Sequence, residues 1–196
     1  TLTHTAGAST ATLAGTPANG DVGSHSVTVT VADAGGLTGT QAFTIVVTNT
    51  NDAPAISSTA VTAVDEDAAY SYTTTASDVD SGDTVTLACT TVPSWLTCTA
   101  GALSGTPDND DVGSHSVVIT ASDGNGGSAT DSFSIAVANT NDAPSISSTA
   151  VLSVDEDASY SYSIATSDDD SDSSDTWTIT STSVSWLTLT HTAGAS

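Results

Sequence analysis

Seven stretches between residues 53 and 142 alternate apolar and polar side chains with a period of two, as a strand with one face in a core does. They are Ala55–Val61, Ala69–Ala76, Thr84–Val92, Trp95–Ala100, Ala102–Thr106, Ser114–Ser122 and Thr130–Asn139. Clusters of Gly, Asp, Asn and Pro separate them, and no stretch has helical periodicity with caps. Short strands at this spacing predict an all-β chain of Ig-like, Greek-key β-sandwiches. The alternation assigns Tyr72, Val85, Leu87, Trp95, Leu96, Leu103, Val118, Phe133, Ile135 and Val137 to the core.

The pattern recurs. Asn49–Pro54 returns as Asn139–Pro144, Asp21–Val27 as Asp111–Val117, and Val64–Ala68 as Val154–Ala158, each 90 residues on. Internal repeats of this kind set the architecture. They divide the chain into the C-terminal half of a repeat (1–52), a complete repeat (53–142) and the N-terminal half of the next (143–196), expected to lie end to end in a rod. Thr1–Ser9 and Thr188–Ser196 are identical and 187 residues apart, which is two repeats. A window on a continuous periodic fibre would look like this. One covalent polypeptide running through the fibre is favoured over subunits that complete each other with donated strands.

Charge narrows the function. There are 23 Asp and Glu, no Lys and no Arg, and the net charge is −23. A chain without fixed cations has nothing to set against phosphate, so nucleic acids and anionic membrane surfaces are excluded as partners. No apolar run is long enough to span a bilayer, so direct membrane insertion is not expected. Self-repulsion destabilises such a chain unless cations neutralise it. Its acidic residues gather in turns: Asp65–Asp67, Asp78–Asp83, Asp108–Asp111, Asp123–Asn125 and Asn139–Asp142. In Asp-x-Asp-x-Gly, two carboxylates face one side of an extended turn. Six to eight oxygens of this kind suit calcium, which is the expected cofactor. In a sandwich the loops collect at the two ends, so a linker and the ends it joins form an oxygen-lined box.

Ser114–Ile146 resembles the end of a cadherin repeat, with an Asp-x-Gly hairpin and an Asn-Asp-x-Pro linker, and Ser77–Leu87 resembles the cadherin Asp-x-Asp-x-Gly loop. Pro93–Leu96, Leu103–Pro107 and Asp111–Gly113 are similar to the Pro-Ser-Trp-Leu, Leu-Ser-Gly-Thr-Pro and Asp-Val-Gly signature of bacterial cadherin-like or dystroglycan-type Ig repeats. The resemblance implies large, exported tandem-repeat adhesins or matrix proteins. It also implies ligands at two junctions. The first set is Asp33, Asn49, Asn51, Asp52, Asp78 and Asp80. The second is Glu66, Asp123, Asn139, Asn141, Asp142, Asp168 and Asp170. Cadherins carry Asp-Arg-Glu where this chain has Asn109–Gly113 or Asn19–Gly23. One Glu ligand is therefore missing, and Asp111 and Asp21 are the residues that could stand in for it.

Cys89 and Cys98 flank the Trp95 turn and are the only cysteines. In an exported chain they read as a disulfide, the alternative being two small buried thiols. His25 and His115 occupy equivalent strand positions and read as packing residues, and no nucleophile elbow is present. The chain is therefore not expected to be an enzyme. It is expected to be an extracellular structural segment, at a bacterial surface or in a biofilm matrix, whose partners are neighbouring repeats of the same chain or fibre. Two other readings remain: an adhesive module recognising carbohydrate or protein, and a spacer in a secreted glycan-processing enzyme. An exposed aromatic cluster would favour the adhesive module, but Trp95, Trp177 and Trp186 lie in patterns that look internal. The many Ser and Thr could carry O-linked glycans.

Overall fold

The computed structural model describes residues 2–5, 7–170, 178–182 and 184–190. Trp177 and most of the acidic loop after Asp170 lie outside them. The described chain is all-β, with 3-10 turns at Asn19–Asp21 and Asn109–Asp111. Its strands are β1 (Leu2–His4), β2 (Ala11–Leu13), β3 (Gly23–Ala32), β4 (Thr38–Val47), β5 (Ala55–Ile56), β6 (Ala63–Asp65), β7 (Tyr70–Thr73), β8 (Ala76–Ser77), β9 (Thr86–Thr91), β10 (Leu96–Thr99), β11 (Ala102–Gly105), β12 (Gly113–Ser122), β13 (Ser128–Ala138), β14 (Ser145–Ile146) and β15 (Thr166–Ser167). The larger sheets run β6-β13-β12-β9 and β10-β11-β7. The pairs β1-β2, β3-β4, β5-β8 and β14-β15 form two-stranded sheets.

By contact the chain forms two compact units. One comprises Thr1–Ser57, Thr75–Leu87 and Thr120–Thr130; the other comprises Ser58–Thr74, Ala88–Ile119 and Asp131–Ser196. In the first, β3 and β4 form a ten-residue hairpin in register from Gly23 opposite Val47 to Ala32 opposite Thr38. In the second, Leu103, Val117, Ile119 and Ile135 are buried to 1% exposure or less. Tyr70 and Tyr72 join them, and each keeps a partner for its hydroxyl as a buried phenol must. The Tyr70 hydroxyl donates to the Val61 carbonyl at 2.7 Å, and that of Tyr72 bonds to Ser58 Oγ at 2.8 Å. Burial, and then the neighbouring Tyr72, push the pKa of Tyr70 up to about 12, so the phenol stays a donor. Trp95 lies edge-on to Tyr70 and to His115, with ring centroids 5.8 and 5.9 Å away. His115 Nε2 donates to the Asp111 carbonyl at 2.6 Å, which accounts for this histidine as a packing residue.

Two expectations need correction. Val118 is only half-buried, and the core face of β12 is Val117, Ile119 and Ala121. In the run Val117-Val118-Ile119 both faces are apolar, and a one-residue slip exchanges them. Ala55–Val61 contributes only the two residues of β5 to a strand. The pairing continues instead at β6, which runs parallel to β13 with Val64 opposite Val137. That contact spans some seventy residues of sequence, and local alternation does not report it.

Cys89 and Cys98 form a disulfide with Cα atoms 6.4 Å apart, inside the range a disulfide bridges without moving the backbone.

Candidate metal centres

Two carboxylate clusters stand out, one in each unit. Both follow from local chain geometry. In Asp78-Val-Asp80 the Asp80 N–H donates to Asp78 Oδ1 at 2.9 Å, and the Asp83 N–H donates to the Asp80 carbonyl at 3.3 Å. The loop thus curls so that Asp78, Asp80 and Asp83 each offer an oxygen within 4.8 Å of the others. The linker closes on it: the Asp52 N–H donates to Asp80 Oδ2 at 2.6 Å. Asp78 Oδ2, Asp80 Oδ1 and Asp83 Oδ2 are buried and accept no hydrogen bond. A buried charged oxygen without a partner is costly, and three together fit a cation better than they fit one another.

The second cluster is built the same way, 90 residues on, with one addition. The Asp142 N–H donates to Asp170 Oδ2 at 2.7 Å, as Asp52 does to Asp80. Glu66 enters from the turn after β6, held by the Thr140 N–H on its Oε1. Glu66 is 2% exposed and Asp170 4%. Glu66, Asp142 and Asp170 offer oxygens within 4.8 Å of one another. Glu66 Oε2 and Asp168 Oδ2 are the buried, unpartnered atoms here. At such a separation, two like charges repel by about 3–4 kcal/mol at an effective dielectric of about 20.

Side-chain amides orient the linkers. Asn109 Nδ2 donates to Asp142 Oδ2 at 3.0 Å, and Asn19 does the same to Asp52 Oδ2 at 2.6 Å. Asn139 donates to Asp170 Oδ1 at 2.9 Å, while Asn141 and Asn51 each brace the carbonyl of the next Asp. Asn49 is exposed. Asp111 and Asp21 do not stand in for the missing Glu. Their carboxylates turn back to accept from Asp108 N at 3.2 Å and Ala18 N at 2.9 Å, closing the 3-10 turns.

The grouping of two candidates is corrected. Asp123 stands with Asn51, whose amide donates to its Oδ2 at 2.8 Å, and not with Asn139–Asp142. That amide first, with the backbone N–H groups of Asn125, Gly126 and Gly127 against a smaller opposing effect of burial, holds its carboxyl below the usual carboxylate range. Asp33 is the same hairpin position one repeat earlier; its Oδ1 accepts from Leu37 N at 2.8 Å. The reason is length. Ten-residue β4 separates Asp33 from the Asn49–Asp52 linker, and eleven-residue β13 separates Asp123 from Asn139. At about 3.3 Å per residue, each hairpin tip lies some 30 Å from the linker that follows it. Asp83, the third acidic residue of its loop, joins Asp78 and Asp80 although the resemblance to cadherin repeats implies only those two.

Gly127 marks how closely the Asp123 hairpin tip packs against the first linker. A Cβ there would strike the Asp123 carboxylate and come within 2.9 Å of Ala53 Cα and 3.0 Å of the Asp52 carbonyl. Gly127→Ala is expected to cost about 1–3 kcal/mol, as overpacking does. Thermal melts with and without calcium would check this, and the calcium response of the second cluster should survive.

Residues 5–48 and 53–138 match the family described as "Putative Ig domain". The chain belongs to that family. Among solved structures, this Ig-domain chain is similar to protocadherin gamma B2 extracellular cadherin domains 3–6. The TM-score is 0.54 at 20% identity, over 88% of this chain and 52% of that one. Domains 1–5 of the same protocadherin give 0.51 at 23%, over 79% and 34%. An endo-fucoidan hydrolase of glycoside hydrolase family 107 shares 34% identity over 64% of this chain and 20% of its own, with a TM-score of 0.38. The chain thus spans about a fifth of the hydrolase and a third to a half of the protocadherin chains. No curated protein matches it. The protocadherin likeness gives the fold: tandem Ig- or cadherin-like β-sandwiches. Among the described residues, no helix is long and apolar enough to cross a membrane.

Proposed function

We propose that this chain is a structural segment of an extracellular fibre or adhesin stalk, stiffened by calcium at the linkers between its repeats. One observation carries the reading. Each cluster ties linker backbone to an acidic loop of the following repeat, and each leaves buried carboxylate oxygens with no partner. With no Lys or Arg in the chain, a cation is the natural counter-charge. Asp78, Asp80 and Asp83 would hold it at the first linker, with Glu66, Asp142, Asp168 and Asp170 at the second. A hard dication supplies charge neutralisation and oxygen coordination there. At the second linker Asn109 and Asn139 hold Asp142 and Asp170 in place beforehand, which reduces the ordering needed on binding. Without the ion, like charges repel across each cluster and the linker loosens. The chain has no catalytic role in this account, and its partners are further copies of the same repeats at a bacterial surface or in a matrix.

Calorimetric titration of the metal-free chain with calcium, paired with thermal melts, tests this. Binding should stabilise the fold by about 4 kcal/mol when free calcium is a thousandfold above Kd. No binding heat, or an equal rise in Tm from sodium at matched ionic strength, would reduce the clusters to ordinary acidic turns.

A further inference from the structure

The two linkers are built alike but charged differently. At each, the Asn of a 3-10 turn holds a linker Asp, and that Asp donates its N–H to the acidic loop that follows. The residues are Asn19, Asp52 and Asp80 at the first linker, and Asn109, Asp142 and Asp170 at the second. The two turns share one backbone conformation. Ala18 and Asp108, which precede them, have φ of −108° and −112°; Val22 and Val112, which follow, both have φ of −62°.

Against that sameness, three positions change together. Asp108, Asp110 and Asp169 stand where the first linker has Ala18, Gly20 and Val79, each 90 residues earlier. The fold brings the three together: with Asn109 they line an open polar pocket of about 280 Å³. The turn does not require its acids, because the earlier turn closes around Ala18 and Gly20 with no side-chain cap. Nor do the three form a cage. All are exposed, and the carboxylates that reach ligand distance of one another at this linker are those of Glu66, Asp142 and Asp170. The pocket borders that group, since Asn109 bonds Asp142 and Asp169 lies between Asp168 and Asp170. Within the group Glu66, 2% exposed, keeps a buried Oε2 with no partner.

We infer that Asp108, Asp110 and Asp169 set the calcium affinity of the second linker through their field, an inference that rests on the calcium reading proposed above. Carboxylates around a cation site draw the ion in when it is present and repel one another when it is absent. In water, an exposed carboxylate about 10 Å from a dication strengthens binding by about 3-fold at low ionic strength. Three together give roughly 20-fold at about 10 mM salt. Screening reduces this to about 5-fold at 0.1 M and to nearly nothing at 1 M. The calcium response of the second linker therefore depends on salt through these residues, and the first linker lacks that contribution.

The first linker supplies the substitutions that test this. Asp108→Ala, Asp110→Gly and Asp169→Val, made together, place its residues in the second, in a turn whose conformation they already support. Calorimetric calcium titrations would compare this triple variant with its parent, both carrying Asp80→Asn to silence the first cluster. Affinity should fall by roughly 20-fold at about 10 mM sodium chloride, and the difference should vanish at about 1 M. In chelator the triple variant should melt above its parent. The reciprocal change, Ala18→Asp, Gly20→Asp and Val79→Asp with the second cluster weakened by Glu66→Gln, should tighten the first linker at low salt. Space exists for it: a Cβ at Gly20 meets nothing within 4 Å, and Val79 is 66% exposed. Equal affinities at low salt, or a difference undiminished in 1 M salt, would overturn the inference while leaving calcium binding intact. A parent that takes up no calcium at the second cluster would sink the calcium reading itself, and this inference with it.

Discussion

Glu66→Gln should reverse its effect on stability when calcium is added. Gln keeps an oxygen for the Thr140 N–H, so the turn after β6 is preserved. What it loses is a charge, 2% exposed, beside Asp142 and Asp170. In chelator that loss relieves like-charge repulsion and should raise stability by roughly 1–3 kcal/mol. In calcium it removes a direct ligand. Outer-shell changes already weaken metal sites by about 10–100-fold, so a loss at or above the upper figure is expected for one ion. Asp80→Asn should behave in the same way at the first cluster and leave the second unaffected. Melts of both variants with and without calcium decide the matter. Destabilisation by the same amount in both conditions would mean that Glu66 serves only as a backbone acceptor.

Removing the disulfide is expected to cost about 3 kcal/mol. Cys89 and Cys98 close a loop of sequence separation 9, short enough that the chain-entropy relation gives a value near the lower end of the usual range. The bond ties β9 to β10, strands of different sheets. The half repeat that follows lacks both cysteines: Ser181 and Leu189 occupy the two positions. Cys89→Ser with Cys98→Ser, or reduction, should therefore lower the denaturant midpoint of the central repeat and leave calcium affinity largely intact. A midpoint that does not move would show that packing around Trp95 already holds the two sheets.

The fold class was legible because most of strands β9 to β13 alternate apolar and polar residues, and the repeat because whole words recur at a fixed offset. Most of the candidate ligands were legible for the same reason, since Asp-x-Asp and Asn-x-Asn-Asp are short and self-contained. What escaped needed three dimensions. Whether Asp123 belongs to the linker before it or after it depends on which end of β13 a hairpin tip occupies. Residue type cannot report that, but strand length could have. The fate of Asp111 was hidden too, because an acidic residue closing a 3-10 turn and one facing a metal look alike in sequence. In sequence, Asn109 and Asn19 stand in place of part of a motif. That they hold the linker aspartates by direct hydrogen bonds appeared only when residues 33 apart were brought together. In β12, Val117-Val118-Ile119 offers two apolar faces, and only the packed partners choose between them.

The most direct measurement is anomalous diffraction from crystals grown in calcium. The account predicts ions about 2.3–2.6 Å from the buried oxygens that now lack partners: Asp78 Oδ2, Asp80 Oδ1 and Asp83 Oδ2 at the first linker, and Glu66 Oε2 and Asp168 Oδ2 at the second. Well-ordered carboxylates at both clusters with no anomalous density between them would contradict it.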